Sequence, residues 1–351
     1  MSIELAVRLA DYIVGSMDPE MRWTWGQGIM GAALNDLDLY LGTEKYLPFL
    51  RAFCDHYVKH EPSVNSADTA APGFITYAAY SRTGNPEYKA LTDKVLDYIK
   101  NEPRVYKDAV NHLGRHPIAR IYPKSIWVDS LMMFSVFPAR YAAAEGDRDL
   151  LEIAARQPAL YADCMMDKED HLWYHSYWVK RGSHYPKRKY YWARGNGWVV
   201  SALPKILACI GDHPDREKIV EVFRMTVDAV VKKQHPSGGF NTLLGRHTYL
   251  ESSASALIAD GIYRAVGAGY LGEEYLPYAE KAFAFATSCL KIKGEKVLLT
   301  KISGPTIPVP VIPYIGYAWV PKASNLTYGV AAYLWAAIER DKLVKAGRLS
   351  E

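Results

Sequence analysis

Five glycine-marked corners divide this 351-residue chain into pairs of helical segments. They are Leu41–Tyr46, Thr83–Tyr88, Gly146–Leu150, Gly211–Pro214 and Gly272–Tyr275. In each corner a glycine ends one segment, and in most of them a polar cap and an apolar residue then begin the next. The corners recur about 40 to 65 residues apart, which is typical of repeated helical hairpins. Six hairpins can close into a ring, so the pattern predicts an all-α (α/α)6 toroid formed by residues 1–351 as a single domain.

Helical periodicity predicts about twelve helices in this ring, one inner and one outer helix in each hairpin. They span roughly residues 3–16, 26–41, 44–59, 69–82, 86–101, 125–145, 148–166, 195–210, 214–233, 251–268, 273–291 and 325–346. The runs 297–302 and 306–315 are expected to be extended, because Pro308, Pro310 and Pro313 disfavour a helix in the second run.

Four long connections alternate with the short corners. They cover residues 101–124, 167–192, 234–250 and 292–324. Each leads into a predicted inner helix, so all four should gather at one end of the ring. Loops held on a rigid scaffold are where binding and catalysis are usually built.

The composition limits the classes of partner. The net charge of +4 is too small to indicate nucleic acid or a membrane surface, and no apolar run approaches membrane-spanning length. The four cysteines form no CxxC pair and lie in apolar helical runs, which favours free thiols in a reducing, cytoplasmic location. We expect a monomer or a weak homo-oligomer.

The densest chemical signal is the run Tyr190–Trp198, with four aromatic residues, two glycines and Arg194 at the start of an apolar helical segment. Glycine permits close approach of the backbone. Aromatic rings offer flat faces, and the guanidinium of Arg194 offers a planar fork that suits a carboxylate. Together they suggest a site for a sugar acid. The alternative is a buried aromatic loop that ties two helices together.

Two carboxylates are candidates for the site. Asp129 follows Trp127 within an aromatic and apolar segment, where burial would leave the carboxyl group either paired or protonated with a raised pKa. Burial beside Trp127 is expected to raise the pKa of Asp129, and a protonated carboxyl group is a general acid at neutral pH. The alternative is a core aspartate bonded to a loop amide. Asp68 stands at the head of a predicted helix, where an N-cap is the alternative to a functional role.

His175 lies among aromatic residues in a long loop, where it is either structural or part of the site. The three histidines nearby, His171, His175 and His184, lack the spacing of a zinc motif, and we predict neither a metal nor a cofactor. The run Ser252–Ala256 contains three serines but no G-x-S-x-G elbow, so we set aside a serine nucleophile.

Taken together, these stretches resemble glycoside hydrolase family 105, the unsaturated rhamnogalacturonyl hydrolases, and the related family 88 of unsaturated glucuronyl hydrolases. The resemblance rests on the order and spacing of four motifs, and the W-x-R-G-N-G-W run is the most specific. They are Trp127–Met133, Trp173–His175, Trp192–Trp198 and Tyr249–Ala256. The resemblance covers roughly residues 20 to 290.

The resemblance implies a metal-free reaction in a six-hairpin toroid. The substrate is a small oligosaccharide from pectin or rhamnogalacturonan that ends in a 4,5-unsaturated uronic acid. Its vinyl ether is hydrated, and the uronic acid is released. Asp129 matches the proton donor and Asp68 the second aspartate, which contacts sugar hydroxyls. His175, Trp192, Arg194 and Trp198 match pocket residues, and we assign Arg194 to the uronate from its chemistry.

The chain departs from the family's pattern in ways that affect the substrate assignment, and two competing functions are open. The 302–325 loop does not match the family's Gly-rich ending, so the leaving sugar stays open, and Asp68 lies in an unusual Ser-Ala-Asp-Thr setting. Another toroid enzyme is one competitor; an epimerase would need two catalytic histidines, and an inverting glycosidase would need a second catalytic carboxylate. A non-catalytic sugar-binding protein is the other, although the presence of Asp129 beside an intact W-x-R-G-N-G-W run argues against it.

Overall fold

The computed structural model describes residues 2–350, which form fourteen α-helices and eleven short β-strands. The helices are α1 (Ser2–Ser16), α2 (Trp25–Leu41), α3 (Leu47–Lys59), α4 (Ala67–Ala70), α5 (Gly73–Thr83), α6 (Pro86–Asn101), α7 (Phe137–Glu145), α8 (Arg148–Met165), α9 (Ala193–Leu207), α10 (Arg216–Val231), α11 (Ser252–Gly267), α12 (Leu276–Ser288), α13 (Pro313–Ala318) and α14 (Thr327–Lys345). The strands are β1 (Arg104–Tyr106), β2 (Ala109–Val110), β3 (Ser125–Trp127), β4 (Ser176–Trp178), β5 (Ser183–Tyr185), β6 (Phe240–Asn241), β7 (Leu250–Glu251), β8 (Leu290–Lys293), β9 (Lys296–Leu299), β10 (Ile302–Ser303) and β11 (Lys322–Ala323).

Twelve of the helices form two concentric rings. The inner ring consists of α2, α5, α7, α9, α11 and α14, and α14 packs back against α2 to close it. The outer helices α1, α3, α6, α8, α10 and α12 alternate with them along the chain and pack against them. The predicted (α/α)6 toroid is therefore confirmed. The interpretation of residues 1–351 as one domain stays a prediction, which limited proteolysis would test.

The glycine corners form as the sequence predicts, with two exceptions. Gly42, Gly84 and Gly146 are the C-caps of α2, α5 and α7, with φ values between 66° and 76° in the left-handed region that ends a helix. Gly211 is left-handed too, but α9 ends before it, at Leu207. The next helices are capped by Asn85 and Asp147, whose side chains accept backbone N–H bonds. The fifth corner differs because Gly269 has the left-handed conformation, whereas Gly272 begins a 3₁₀ turn.

Small residues let the inner helices lie close together. Every residue of α9 is buried, and α11 is buried over nearly its whole length. At their contact, a Cβ atom on Gly261 would lie 2.0 Å from the carbonyl oxygen of Val200. Only glycine fits this position, so the close approach of α9 and α11 is fixed by a single residue.

Three predicted segments were wrong in detail. The helix predicted at 125–145 begins instead as strand β3, because its backbone pairs with β4, and then continues through a π-helical run at Leu131–Val136 into α7. The helix at 69–82 is divided into α4 and α5, since Pro72 lacks an N–H donor. In the run 306–315, Pro313 occupies the first turn of α13, where proline is tolerated. The extended run at 297–302 is largely confirmed by β9 and β10.

The four long connections meet at one end of the ring, as expected. The antiparallel sheet β3–β4–β5 joins the first two connections, and a bridge between Trp192 and Leu243 joins the second to the third. The hydroxyl of Tyr122 donates to the carbonyl oxygen of Pro308 at 2.5 Å, which ties the first connection to the fourth. Every inner helix begins at this end, where the candidate residues lie.

Candidate active site

Asp129 lies in a tight turn between β3 and the π-helical run, and not one helical turn into a helix as the sequence suggested. The N–H of Val128 donates to the carbonyl oxygen of His175 at 2.9 Å, which extends the β3–β4 pairing up to the turn. The carbonyl oxygen of Asp129 then accepts the N–H groups of Met132 and Met133 at 3.0 Å. Strand on one side and helix on the other therefore fix the carboxylate.

The nearest partner of the Asp129 carboxylate is His175. Oδ2 of Asp129 and Nε2 of His175 lie 3.2 Å apart, and neither atom has a hydrogen-bond partner of good geometry within residues 2–350. The other ring nitrogen of His175, Nδ1, lies 3.0 Å from the hydroxyl of Tyr317. Burial raises the pKa of Tyr317 well above its ordinary value, so this hydroxyl stays protonated and can donate to Nδ1. Nε2 of His175 then bears the proton that faces Asp129.

The charge state of the pair differs from the sequence prediction. Burial acts to raise the pKa of Asp129, but the contact with His175, assisted by His112 and Arg194, outweighs it and lowers that pKa below the ordinary value. Burial lowers the pKa of His175, against the influence of Asp129. The prediction of a raised pKa for Asp129 is therefore wrong for the free protein. Near neutral pH the pair is a carboxylate beside a neutral imidazole.

A second aspartate–histidine pair lies on the same side of the ring. Oδ1 of Asp68 is 3.3 Å from Nε2 of His112, and Nδ1 of His112 lies 2.8 Å from the hydroxyl of Ser130. Asp68 is not the N-cap of its helix, because Ser66 and Thr69 form a capping box there. The carboxylate of Asp68, about one third exposed, is therefore not used by the cap.

Trp127 joins the two pairs. Its ring stacks on His112 with centroids 4.3 Å apart, and its face meets the edge of His175 at 5.5 Å. Ser125 holds the indole by accepting its N–H at 2.9 Å. The two carboxylates are thus arranged around one buried aromatic side chain.

Arg194 is brought to the site but is used differently from the prediction. Its two terminal nitrogens donate to the carbonyl oxygens of Ser303 and Gly304 at 2.8 Å each. The guanidinium also lies over the rings of Trp192, at 4.5 Å, and Tyr328, at 4.8 Å. The fork that was assigned to a uronate therefore holds the backbone of the 302–325 loop, and a direct contact with substrate stays a prediction.

The two predicted tryptophans are both buried but have different neighbours. Trp192 stacks on His175 with centroids 4.4 Å apart, which places it beside the Asp129 pair. Trp198 meets Trp25 edge-on at 6.4 Å. The indole N–H groups of both tryptophans have no acceptor within residues 2–350. Contact of either ring with a substrate stays a prediction.

The serines that begin α11 have structural partners. Ser252 donates to the carbonyl oxygen of Thr300, and Ser255 donates to that of Glu251. Glu251 caps the helix by accepting the N–H of Ser253 at 2.8 Å. These contacts agree with setting aside a serine nucleophile.

Sequence reasoning missed His112 and Tyr317. His112 lies in the first long connection and Tyr317 in the fourth, both of which were expected at this end of the ring. Neither residue belongs to a recognisable motif, and Tyr317 is 142 positions from His175 along the chain. The only available signal was their location in these loops.

Residues 2–350 contain neither a candidate metal-binding cluster nor a membrane-spanning helix. No group of three or more histidine, cysteine, aspartate or glutamate side chains is arranged to hold a metal ion. None of the helices is both long enough and apolar enough to span a membrane.

Comparison with known proteins identifies the family. The model of Glycosyl Hydrolase Family 88 matches residues 3–344. The unsaturated rhamnogalacturonyl hydrolase YesR of Bacillus subtilis is 25% identical over 278 residues, which are 79% of this chain and 78% of that protein.

Two solved structures share the fold. A family 105 glycoside hydrolase of C. acetobutylicum has a TM-score of 0.86 at 22% identity, over 96% of this chain and 99% of that one. The unsaturated glucuronyl hydrolase of Bacillus sp. GL1 has a TM-score of 0.76 at 14% identity, over 97% and 96%. Because the family model matches nearly the whole length of this chain, the chain belongs to Glycosyl Hydrolase Family 88.

Proposed function

We propose that the protein hydrates the C4=C5 double bond of an unsaturated uronic acid at the non-reducing end of a small oligosaccharide, and so releases that acid. Rhamnogalacturonan fragments produced by a lyase are the proposed source, in line with the similarity to YesR. The observation that carries the proposal is the pairing of Asp129 with His175 in buried, aromatic surroundings. A carboxyl group so placed can exchange protons with one carbon atom of a bound sugar.

The reaction begins with proton transfer from the carboxyl group of Asp129 to C4. A C–H bond forms, the π bond between C4 and C5 breaks, and positive charge develops at C5, shared with the ring oxygen. The oxygen of a water molecule bonds to C5, and its proton passes to the Asp129 carboxylate. The resulting hemiketal opens to a ketone at C5, which leaves a hemiacetal at C1. Collapse of this hemiacetal to an aldehyde breaks the bond to the leaving sugar, and Asp129 ends the cycle protonated, as it began.

The substrate itself shifts the pKa of Asp129 in the direction that the reaction requires. Asp129 has a lowered pKa in the free protein, yet it must be protonated to act as an acid. The carboxylate of the substrate is attached to C5, next to the carbon that receives the proton. A like charge so close raises the pKa of Asp129. Binding of the uronate therefore favours the acid form that the reaction needs.

The surrounding groups position this acid. His175, held by Tyr317, orients the Asp129 carboxylate, and Trp192 presents its ring to the sugar. Asp68 is exposed enough to accept sugar hydroxyls, with His112 fixing its orientation. Arg194 acts through the 302–325 loop that it anchors.

An epimerase must be considered again as an alternative function, because the site contains two histidines, His112 and His175. Both nitrogens of each ring already face a protein group: Asp68 and Ser130 for His112, Asp129 and Tyr317 for His175. Nε2 of His175 bears a proton, because Nδ1 accepts from the hydroxyl of Tyr317, so this ring has no lone pair with which to remove a sugar proton. This arrangement favours histidines that orient carboxylates over histidines that act as bases.

A panel of unsaturated disaccharides tests the proposal. The conjugated double bond absorbs ultraviolet light, and its hydration removes that absorbance. We expect loss of absorbance with release of the neutral sugar, and the fastest rate when that sugar is rhamnose. A panel in which no unsaturated uronide loses absorbance, or an epimerised product from a saturated sugar, would contradict the proposed function.

We also infer a reducing, cytoplasmic location for this reaction. All four cysteines are free thiols, and two of them, Cys54 and Cys289, are buried. Free thiols persist in reducing compartments. Cell fractionation with an antibody against the chain tests the location, and size-exclusion chromatography with light scattering tests the expected monomer or weak homo-oligomer.

A further inference from the structure

A groove of about 610 Å³ is lined in part by the 302–325 loop. It runs between the segment 181–190 and the segment 310–315. Its volume is within the range of pockets that hold small ligands. Three aromatic rings line it, those of Tyr185, Tyr190 and Tyr314.

The groove is positively charged. Arg181, Lys187 and Arg188 line it, and no carboxylate does so within residues 2–350. The guanidinium of Arg246 adds a fourth cation, 5.7 Å from the ring of Tyr190. None of these four side chains has an ion-pair partner among the described residues.

The neighbouring Lys189 behaves differently, which shows that the unpaired charge is local. Its ammonium group lies within 3.4 Å of three carboxylates: Asp167, Glu169 and Asp170. The chain therefore neutralises one cation of the run 187–189 and leaves the two that face the groove without partners. Cations beside aromatic faces suit an anionic sugar, whose ring can stack while its acid group pairs.

Both walls of the groove are close in sequence to residues of the active site. On one wall, Tyr190 lies two residues before Trp192 and contacts Tyr314 with ring centroids 5.5 Å apart. On the other wall, Tyr314 lies one helical turn from Tyr317, which contacts His175. Two short segments of chain therefore join the groove to the residues around Asp129.

Backbone strain marks the same place. Ile312 has a φ of 48°, a left-handed conformation that β-branched residues rarely adopt. Such conformations are found mostly at functional sites. Ile312 lines the groove and directly precedes α13, so the strained residue sets the position of Tyr314.

We propose that this groove is a subsite for a second anionic sugar, carried by the leaving part of the oligosaccharide. The proposal rests on the proposed function, because it assumes that the unsaturated uronate occupies the pocket beside Asp129. The chemistry recognised is a carboxylate or a sulfate on a pyranose ring. The preferred substrate is then an unsaturated oligosaccharide of three or more sugars with a further acid group.

Three unsaturated trisaccharides test the subsite: one with a uronic acid as its third sugar, one with that carboxyl group reduced to an alcohol, and one with a sulfate ester instead. We expect kcat/KM for an acidic trisaccharide to exceed that of the neutral one by about tenfold at low salt, as a few partly exposed charged contacts would give. The advantage should shrink as salt is added. The more favoured acid identifies the group that is recognised.

Variants assign the effect to the groove. In the double variant Lys187→Ala/Arg188→Ala, the ratio of kcat/KM between acidic and neutral trisaccharides should fall towards one. Arg181 is left intact because it packs over Trp178 at 4.5 Å. The matched control is Lys232→Ala/Lys233→Ala, which removes two adjacent exposed lysines outside the groove and should keep the ratio.

The outcomes separate the two proposals. Equal kcat/KM for acidic and neutral trisaccharides in the wild type, or an unchanged ratio in the groove variant, overturns the subsite while the hydration reaction stands. If no unsaturated substrate of any length is consumed, the proposed function fails and the subsite fails with it.

Discussion

The two ends of the central ring both contain buried charges, but they treat them in opposite ways. At the end where the inner helices begin, the carboxylates of Asp68 and Asp129 face only histidines. Towards the other end, in the second halves of the inner helices, buried carboxylates face arginine or lysine. The second group comprises Asp36, Arg140, Lys205, Asp260, Arg264 and Glu339.

Towards the second end, each carboxylate has a cationic partner in good geometry. Arg140 donates to both oxygens of Asp36 at 2.9 and 3.0 Å, and the indole of Trp335 donates to the same carboxylate. Lys205 contacts Asp260, which also accepts a bond from the hydroxyl of Ser201. Burial lowers the pKa of Lys205 to about 7, although Asp260 opposes that effect.

The difference separates charges that maintain the fold from charges available for chemistry. A buried charge is tolerated when it is paired and hydrogen-bonded, as in the Asp36 and Asp260 clusters. In the active site, Oδ2 of Asp129, Nε2 of His175 and the indole nitrogens of Trp192 and Trp198 lack a well-placed protein partner, whereas in the second group only Nε of Arg264 does. Incomplete satisfaction of this kind is expected where a ligand completes the arrangement.

The largest effect should come from Asp129→Asn. The amide keeps the shape of the side chain but cannot transfer a proton to C4 or accept one from water. General acid catalysis contributes about 10²–10⁴-fold, and because Asp129 serves in two steps we expect a loss at or above the top of that range. Thermal unfolding should change little, since no cationic partner is abandoned. Hydration at a rate near that of the wild type would make Asp129 a structural residue.

The corresponding change at the other end of the ring, Asp260→Asn, should lower stability and leave kcat unchanged. It removes a buried carboxylate that Lys205 and Arg264 both contact, which leaves positive charge without its partner. Breaking a buried pair in this way costs about 3–5 kcal/mol of unfolding free energy. Denaturant titration measures the loss, and kcat of the folded protein should be unchanged. A stable Asp260→Asn protein with impaired kcat would contradict the division between the two ends.

A smaller effect is expected for Arg194→Lys, which keeps the charge but loses the fork. A lysine can reach only one of the two carbonyl oxygens of Ser303 and Gly304 with comparable geometry. The loss of one charge-assisted hydrogen bond corresponds to about 1.5–3 kcal/mol. We expect KM to rise and proteases to cut the 302–325 loop more rapidly.

The methyl ester of the substrate distinguishes two roles for Arg194. If Arg194 anchors the loop, the variant should lose affinity for the free acid and for the ester alike. If the loss is confined to the free acid, Arg194 binds the uronate, as its chemistry first suggested.

The fold could be predicted from local chemistry, because glycine corners and caps act within a few residues. Gly42, Gly84 and Gly146 end helices as expected. What failed depended on longer contacts: β3 replaces the start of a predicted helix because β4, about fifty residues away, pairs with it. The break at Pro72 was a local signal that outweighed helical periodicity.

The site was predictable where residues belong to motifs and not where they meet only in space. Asp129, His175, Trp192 and Arg194 were found from sequence and do converge, but His112 and Tyr317 were not. The direction of the pKa shift of Asp129 was wrong for the same reason. The sequence places Trp127 beside Asp129, which indicates burial, but does not reveal that His175 lies 3.2 Å away.

The smallest expected effect is a difference between two pH profiles, and it tests the corrected charge state. The alkaline limb of the pH profile of kcat/KM reports the pKa of the acid in the free enzyme, and that of kcat reports the pKa in the enzyme–substrate complex. Since Asp129 must begin protonated, activity falls as pH rises through its pKa. In the free enzyme, where Asp129 faces His175 with His112 and Arg194 nearby, that pKa lies below the reference of about 4. In the complex the adjacent uronate raises this pKa, so the fall in kcat should occur at a pH about one unit or more higher than the fall in kcat/KM.

The methyl ester of the substrate is the control, because with a neutral ligand the two pH profiles should fall at the same pH. Coincident limbs for the free acid would show that the substrate does not create the acid form of Asp129, and that its proton has another source.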